Sequence, residues 1–208
     1  MARPFGFRPM DDGGVAGRLD PVTREILAQA ATGLAAVLGG PAQPGLTGGP
    51  YAALFGSGVG TAPLRRVLPR ASFSDQALAA EFAHLTREDL SGLKAKRLLE
   101  LAGRLRDAVE DRFELDRASA EAMAAGLNDL RLALSESIGI ETPEQAEAVQ
   151  TLALLAVRDE TGGTGTAGAD AVRAALELGL DPRDERIPLY NVASALLEDL
   201  IEALTAPR

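Results

Sequence analysis

Met123, Leu127, Leu130, Leu134 and Ile138 recur at steps of four and three residues, the repeat that lines up one face of an α-helix. A core built around that helix has a narrow palette. Aromatic residues make up 4% of the chain and Trp is absent, which leaves Leu, Ala, Val and Ile, a set that favours helices. Asn128, Arg131 and Ser135 form a polar line beside the apolar one at the same spacing. Gly126 sits inside the helix although Gly there costs roughly 1 kcal/mol against Ala, so a neighbouring backbone is expected to approach closely. Asn128, Asp129 and Arg131 read first as structural residues that tie a packed helix to its surroundings through hydrogen bonds. A ligand or partner contact is the alternative.

At 208 residues the chain suits one sizeable domain spanning 1–208. The net charge of −9, with a pI near 4.7, argues against a large nucleic-acid footprint, because phosphate contacts need clustered Lys and Arg. The chain has no cysteine, which excludes disulfides, thiolate chemistry and Cys-type zinc sites. A single histidine, His84, removes most routes to metal binding and Ser-His catalysis, and it reads as a helix-end residue whose charge would meet the dipole's negative pole. Arg3 and Arg8 are followed by no apolar signal-peptide region. The apolar run around Val149–Val157 falls well short of the ~20 residues that span a bilayer. No cofactor, no membrane and a cytoplasmic location are the expectations.

Along the chain, Asp11-Asp12-Gly13-Gly14 suits a tight turn, which predicts a hairpin of Phe5–Arg8 and Val15–Leu19, with Pro4 and Pro9 at strand ends or on an edge. Asp20-Pro21 supplies a cap and an N1 proline for a helix running to about Leu38, and Gly39-Gly40 ends it. Nearly half of residues 39–63 are Gly or Pro and none is charged, a flexible segment. Gly56-Ser57-Gly58-Val59-Gly60-Thr61 fails as a dinucleotide loop, because Thr61 stands where the third Gly belongs and Ala62-Pro63 follows. Ser74 can cap a short helix through His84, and Thr86-Arg87-Glu88-Asp89 a long one to about Asp111. Lys96–Glu100 and Glu100–Arg104 can pair on its solvent side.

Arg112–Leu115 reads as an extended piece able to join the hairpin. Asp116 caps the central helix, which closes at Gly139. Thr142-Pro143-Glu144-Gln145 opens the next helix, to about Arg158. Its apolar residues Val149, Leu152, Leu154, Leu155 and Val157 surround most of its circumference, so it is either buried on several sides or part of an interface, and a homodimer is one option. Residues 161–168 form a second flexible break before a short helix of about Ala169–Leu178, stopped at Gly179. The last helix runs from near Pro188 to Leu204, with Leu189, Ala193, Leu196, Leu200 and Leu204 aligned. The architecture expected is mainly α: an irregular helical bundle with a small N-terminal β element.

Residues 63–112 hold 10 Lys and Arg against 8 Asp and Glu, so that stretch is slightly positive in an acidic chain. Arg65, Arg66, Arg70, Lys94, Lys96 and Arg97 can form a basic patch that meets an acidic partner; a solvated face with interleaved carboxylates is the plainer reading. Of these, Arg65, Arg66, Lys94 and Arg97 are the candidate partner-binding residues. Direct nucleic-acid binding would need Arg, Lys, Asn or Gln in excess on one helix face, and only Lys94–Arg106 comes near. Glu81 with Asp89 or Asp129 is a thin basis for carboxylate catalysis, so an enzyme is not expected.

Five blocks in this order carry a family resemblance: Glu25-Ile26-Leu27 to Leu38; Leu64-Arg65-Arg66-Val67-Leu68-Pro69; Glu81-Phe82-Ala83-His84-Leu85-Thr86-Arg87-Glu88-Asp89-Leu90; Leu127-Asn128-Asp129-Leu130-Arg131-Leu132-Ala133-Leu134; and Tyr190-Asn191. The chain resembles an actinobacterial domain-of-unknown-function family that includes the AosR-like oxidative-stress regulators. Genes of that family commonly lie beside those for the Clp adaptor ClpS and a Mov34/JAMM-type peptidase. The resemblance implies a cytosolic, non-enzymatic regulator that contacts a sigma factor or the transcription machinery. Two departures stand out. Redox-sensing members carry a cysteine pair that this chain lacks, and Val192 and Ala195 occupy positions where members place Trp. A small-metabolite sensor with a pocket along the Asn128/Arg131 helix, and an accessory of Clp-type proteolysis, are the alternative functions.

Overall fold

A computed structural model describes residues 6–40, 53–55, 65–68, 76–108, 110–159 and 165–206; at 53, 76–88, 156–159 and 165–166 it describes the backbone alone. The expectations at Pro4, Gly56–Thr61, Arg70 and Ser74, and for the side chain of His84, lie outside the described residues. The expected hairpin is present as β1 (Gly6–Pro9) and β2 (Val15–Arg18). Its turn is closed by Met10 N–H on the Gly14 carbonyl at 2.9 Å. Gly13 takes a φ of +86° there, a conformation that suits glycine. The extended piece is β3 (Arg112–Leu115), which pairs antiparallel with β2 to give the order β1-β2-β3.

Phe7, Gly17 and Phe113 stand in one cross-strand row. The two rings meet edge to face at 5.8 Å across the space that a side chain on Gly17 would fill. A Cβ there would lie 2.5 Å from the Phe113 ring and 2.9 Å from that of Phe7. Gly17→Ala is therefore expected to cost about 2 kcal/mol by overpacking, lowering the thermal midpoint by roughly 4–8 °C. Gly92→Ala, at a helical position where a Cβ meets nothing within 4 Å, should be neutral or stabilising by up to about 1 kcal/mol. Equal effects at the two glycines in thermal unfolding would overturn the packing argument.

Six helices carry the rest of the described fold. Helix α1 (Pro21–Val37) is capped by the Asp20 carboxylate, which accepts from Thr23 N–H at 3.0 Å, and it ends where Gly39 turns to φ +82°. Helix α2 (Gln76–Asp107) is continuous where the sequence predicts two helices meeting near Thr86. No Gly or Pro interrupts residues 76–91, so a weak capping box does not outweigh uninterrupted i to i−4 bonding. The helix also stops short of Asp111, whose carbonyl takes a sheet-side bond from Leu19 N–H at 2.8 Å. Helix α3 (Arg117–Ile138) is capped by Asp116 and closed by Gly139 at φ +86°. Hydrogen bonds from the Ser119 backbone N–H and hydroxyl hold the Asp116 carboxyl below the usual carboxylate range.

Helix α4 (Pro143–Asp159) opens with the expected box. Thr142 Oγ1 accepts from Gln145 N–H at 3.3 Å and Gln145 Oε1 from Thr142 N–H at 3.0 Å. Helix α5 (Gly165–Glu177) begins inside the stretch predicted to be a flexible break. The alanine-rich run behind Gly168 propagates helix back through it, since Ala is the best helix former. Gln145 Nε2 then reaches the Leu178 carbonyl at 3.0 Å, tying the start of α4 to the end of α5. Helix α6 (Arg186–Thr205) buries Leu189, Ala193, Leu196 and Leu200 as the spacing predicts.

Helices α1, α2, α3 and α6 enclose the main core, with α1 against α2, α2 against α3 and α3 against α6. Leu98, Leu101, Leu105, Met123, Leu127, Leu130, Leu134 and Leu196 are fully buried in it. A short 3-10 turn at Ala53–Phe55 inserts the buried Phe55 ring between α1 and α3. The sheet lies against α6. Helix α4 packs on α6 and α5 on α4; Val149 is buried while Leu154 is 69% exposed, so α4 buries one side rather than most of its circumference.

Candidate functional site

Helix α3 gathers the singled-out residues. Its apolar stripe faces the core, and a second stripe faces α2. Gly126 provides the close approach its position predicts: a Cβ there would lie 3.2 Å from Leu101 Cβ and 3.5 Å from the Arg97 carbonyl. One turn further along α3, the Asp129 carboxylate is almost fully buried and is met by the Lys94 ammonium. Arg97 Nη1 lies 3.9 Å from its other oxygen. A carboxylate removed from water needs such partners to remain charged.

Two turns beyond Asp129, Glu136 repeats the arrangement on the same stripe. Its carboxylate accepts from Arg65 Nε at 3.1 Å and from the Arg66 backbone N–H at 3.0 Å. Val67 and Leu68 are buried beside them. The four candidate partner-binding residues thus all meet α3: Lys94 and Arg97 at Asp129, Arg65 at Glu136, and Arg66 through its backbone N–H on Glu136 and its guanidinium on Ser135. Arg65 keeps a side chain 72% exposed, whereas Lys94 is turned inward with 14% exposure.

The polar seam holds the remaining groups. Arg131 Nη2 donates to Asn128 Oδ1 at 3.1 Å, and Arg66 Nη1 donates to Ser135 Oγ at 2.9 Å. Ser135 Oγ in turn donates to the Leu132 carbonyl at 2.8 Å. Arg131 Nε is buried and has no hydrogen-bond partner among the described residues. An open cleft of about 400 Å³ lies elsewhere, between the end of α1 and α2, with Gly40, Ala95 and Leu99 on its floor and Lys96 and Glu100 on its rim. Lys96–Glu100 and Glu100–Arg104 pair there at 3.9 and 3.8 Å, on the solvent side as predicted.

Sequence reasoning passed over Glu136. Its available signal was its place seven residues after Asp129, which returns to the same face of a helix. Arg24 was missed as well. It is buried in α1 and donates to the carbonyls of Leu105 at 3.0 Å, Ala108 at 2.8 Å and Glu110, so it closes the C-terminal end of α2. Among the described residues, no group of three His, Cys, Asp or Glu is placed to hold a metal ion, and no helix is long and apolar enough to cross a membrane.

No curated protein and no solved structure matches the chain. A family model described as "Domain of unknown function (DUF2017)" matches residues 2–204, and the chain therefore belongs to that family.

Proposed function

We propose that this protein is a non-enzymatic interaction module: a cytosolic regulator of stress-linked transcription that contacts a sigma factor or RNA polymerase, as the AosR-like resemblance implies. The supporting observation is the α4–α5 pair. It joins the body through α4 on α6 and leaves Leu154, Val172 and Leu176 at 69%, 41% and 58% exposure. Large apolar side chains held out on this pair suit contact with another protein. Affinity purification from the native cytosol, followed by mass spectrometry, tests this. Wild type should recover a sigma factor or polymerase, and Leu154→Ser/Leu176→Ser should lose it. Recovery of Clp components instead moves the protein to regulated proteolysis. Recovery of the chain's own copies alone makes the pair a homodimer contact. No partner at all removes the proposal.

A second reading, a small-ligand sensor on the Asn128/Arg131 seam, is favoured by the buried Arg131 Nε, which has no protein acceptor among the described residues. Thermal shift against a metabolite panel tests it, and a flat panel counts against it.

A further inference from the structure

The net charge of the chain sits at one end of it. Residues 141–205 hold 13 Asp and Glu against 4 Arg, which accounts for the whole of the −9, and the remainder is balanced. That stretch is α4, α5, α6 and their connections, with α5 packed on α4 and α4 on α6. Acidic residues on helices are by themselves no more than a solvated face. Here they come with apolar side chains that the fold leaves outside. Of the six large apolar residues exposed among the described ones, Leu154, Val172, Leu176 and Ile201 lie in this stretch. Helix α5 shows the arrangement most plainly. Ala175 is buried and Ala171 half-buried, whereas the larger Val172 and Leu176 are exposed. These two stand one turn apart on the same face. Arg173 and Glu177 border that stripe, and Asp181 follows the end of the helix; all three are exposed. Arg173, the single cation of α5, lies 3.7 Å from Asp170.

A surface helix normally turns its large apolar side chains to the core, so the reverse order on α5 marks a face that meets another molecule. Charge selects which one. A second copy would bring this acidic stretch against its like, and like-charge contact is costly. Nucleic acid and an anionic lipid surface carry the same sign as well. We infer that the outer face of α5 docks an amphipathic helix of another protein, apolar along one stripe and rich in Lys and Arg beside it. The stripe covers Val172 and Leu176, an i, i+4 pair of the kind that helix-to-helix contact uses. The flanking cations meet Glu177 and Asp181, where the negative pole of α5 adds to the attraction. This deepens the interaction-module reading and rests on it.

The test titrates the full chain with three labelled peptides of about 18 residues, long enough to hold a helix in water. The first carries a Leu stripe with Lys on its polar face. The second keeps the stripe but replaces Lys by Glu, and the third has the residues of the first in an order without a stripe. Fluorescence anisotropy gives the affinity, and methyl ¹H–¹³C spectra of the chain give the place. The Leu/Lys helix should bind saturably, shift the Val172 and Leu176 methyls first, and weaken as salt rises. The other two peptides should bind at least about tenfold more weakly. Val172→Gln/Leu176→Gln should cost about tenfold or more, the scale for two apolar side chains no longer buried. Val22→Gln, at an exposed apolar residue of α1, should leave affinity within about twofold. If the double variant fails to fold by circular dichroism, the wild-type methyl shifts decide. Equal binding of either control peptide, shifts confined to other methyls, or a dimer in sedimentation that the double variant dissolves overturns the inference. A transcription partner captured by the chain and lost in Leu154→Ser/Leu176→Ser, with no binding of the Leu/Lys helix, would keep the interaction module and remove the basic helix. A bound Leu/Lys helix with no such partner captured would do the reverse.

Discussion

Replacing Lys94 with Met is expected to destabilise the protein by about 3–5 kcal/mol, the usual cost of stranding a buried charge. The midpoint should fall by roughly 6–20 °C for a chain of this size. Met keeps the length and apolar stem of Lys, so the loss isolates the ammonium that faces Asp129. Arg97 Nη1, 3.9 Å from the other carboxylate oxygen, is too far for a hydrogen bond and compensates the charge only in part. Asp129→Asn should be milder, about 1–2 kcal/mol, because the flexible Lys94 stem lets its ammonium reach water once released. The double replacement Lys94→Met/Asp129→Leu should recover most of the loss, since an apolar pair of similar volume replaces a buried ion pair at little cost. Urea unfolding of the wild type, Lys94→Met, Asp129→Leu and Lys94→Met/Asp129→Leu closes the cycle. A coupling energy near zero would mean that the pair is not what holds α2 to α3 at this level.

That pair also marks the boundary of what the sequence reveals. Local chemistry was legible. Asp20-Pro21, Asp116, Gly139 and the Thr142–Gln145 box all sit where their hydrogen-bonding capacity places them, because a cap and its partner are separated by three or four residues. Arg112–Leu115 was legible for a related reason: its alternation of exposed and sheltered residues has no helical period. Gly126 could be read too, as a packing glycine, since its propensity cost demands a compensating contact. The partners of charged side chains could not be read. Lys94 meets Asp129 across 35 residues and Arg65 meets Glu136 across 71, and a Lys or Arg carries no local mark of which carboxylate it will face. A basic patch in the sequence was therefore a list of cations without their counter-ions. The continuity of α2 through Thr86 and the helical start of α5 at Gly165 were missed for the opposite reason: punctuation residues are weak there, and the surrounding helix overrides them.

The two acidic anchors give the seam its meaning. Asp129 and Glu136 are two turns apart, about 10.5 Å along α3. The first fixes α2 and the second fixes the Arg65–Leu68 segment. The residues between them, Arg131 and Ser135, are thereby held at the edge of two interfaces whose cations are already satisfied.

Arg24→Met is expected to lower stability by about 3 kcal/mol or more, and to loosen one end of the molecule rather than the whole. The last carbonyls of any helix lack intrahelical donors. At the end of α2 the missing donors come from a buried arginine of α1, which reaches Leu105, Ala108 and Glu110 together. Removing it leaves sheltered carbonyls unsatisfied, each worth about 1–3 kcal/mol when water cannot replace the donor, and withdraws a cation from the negative pole of the helix. Glu110, held at φ +55°, loses one of the contacts that keep a non-glycine residue in that conformation. The chain then enters β3 through Asp111, whose carboxyl is held below the usual carboxylate range by the Arg18 guanidinium. Amide exchange should accelerate first in the last two turns of α2 and in Arg112–Leu115, and later in α3. Arg24→Lys should recover part of the loss, since a single ammonium can reach some of the three carbonyls but not span them as a planar fork does. Uniform acceleration across all helices would show that Arg24 acts through the general packing of α1 and not by closing α2.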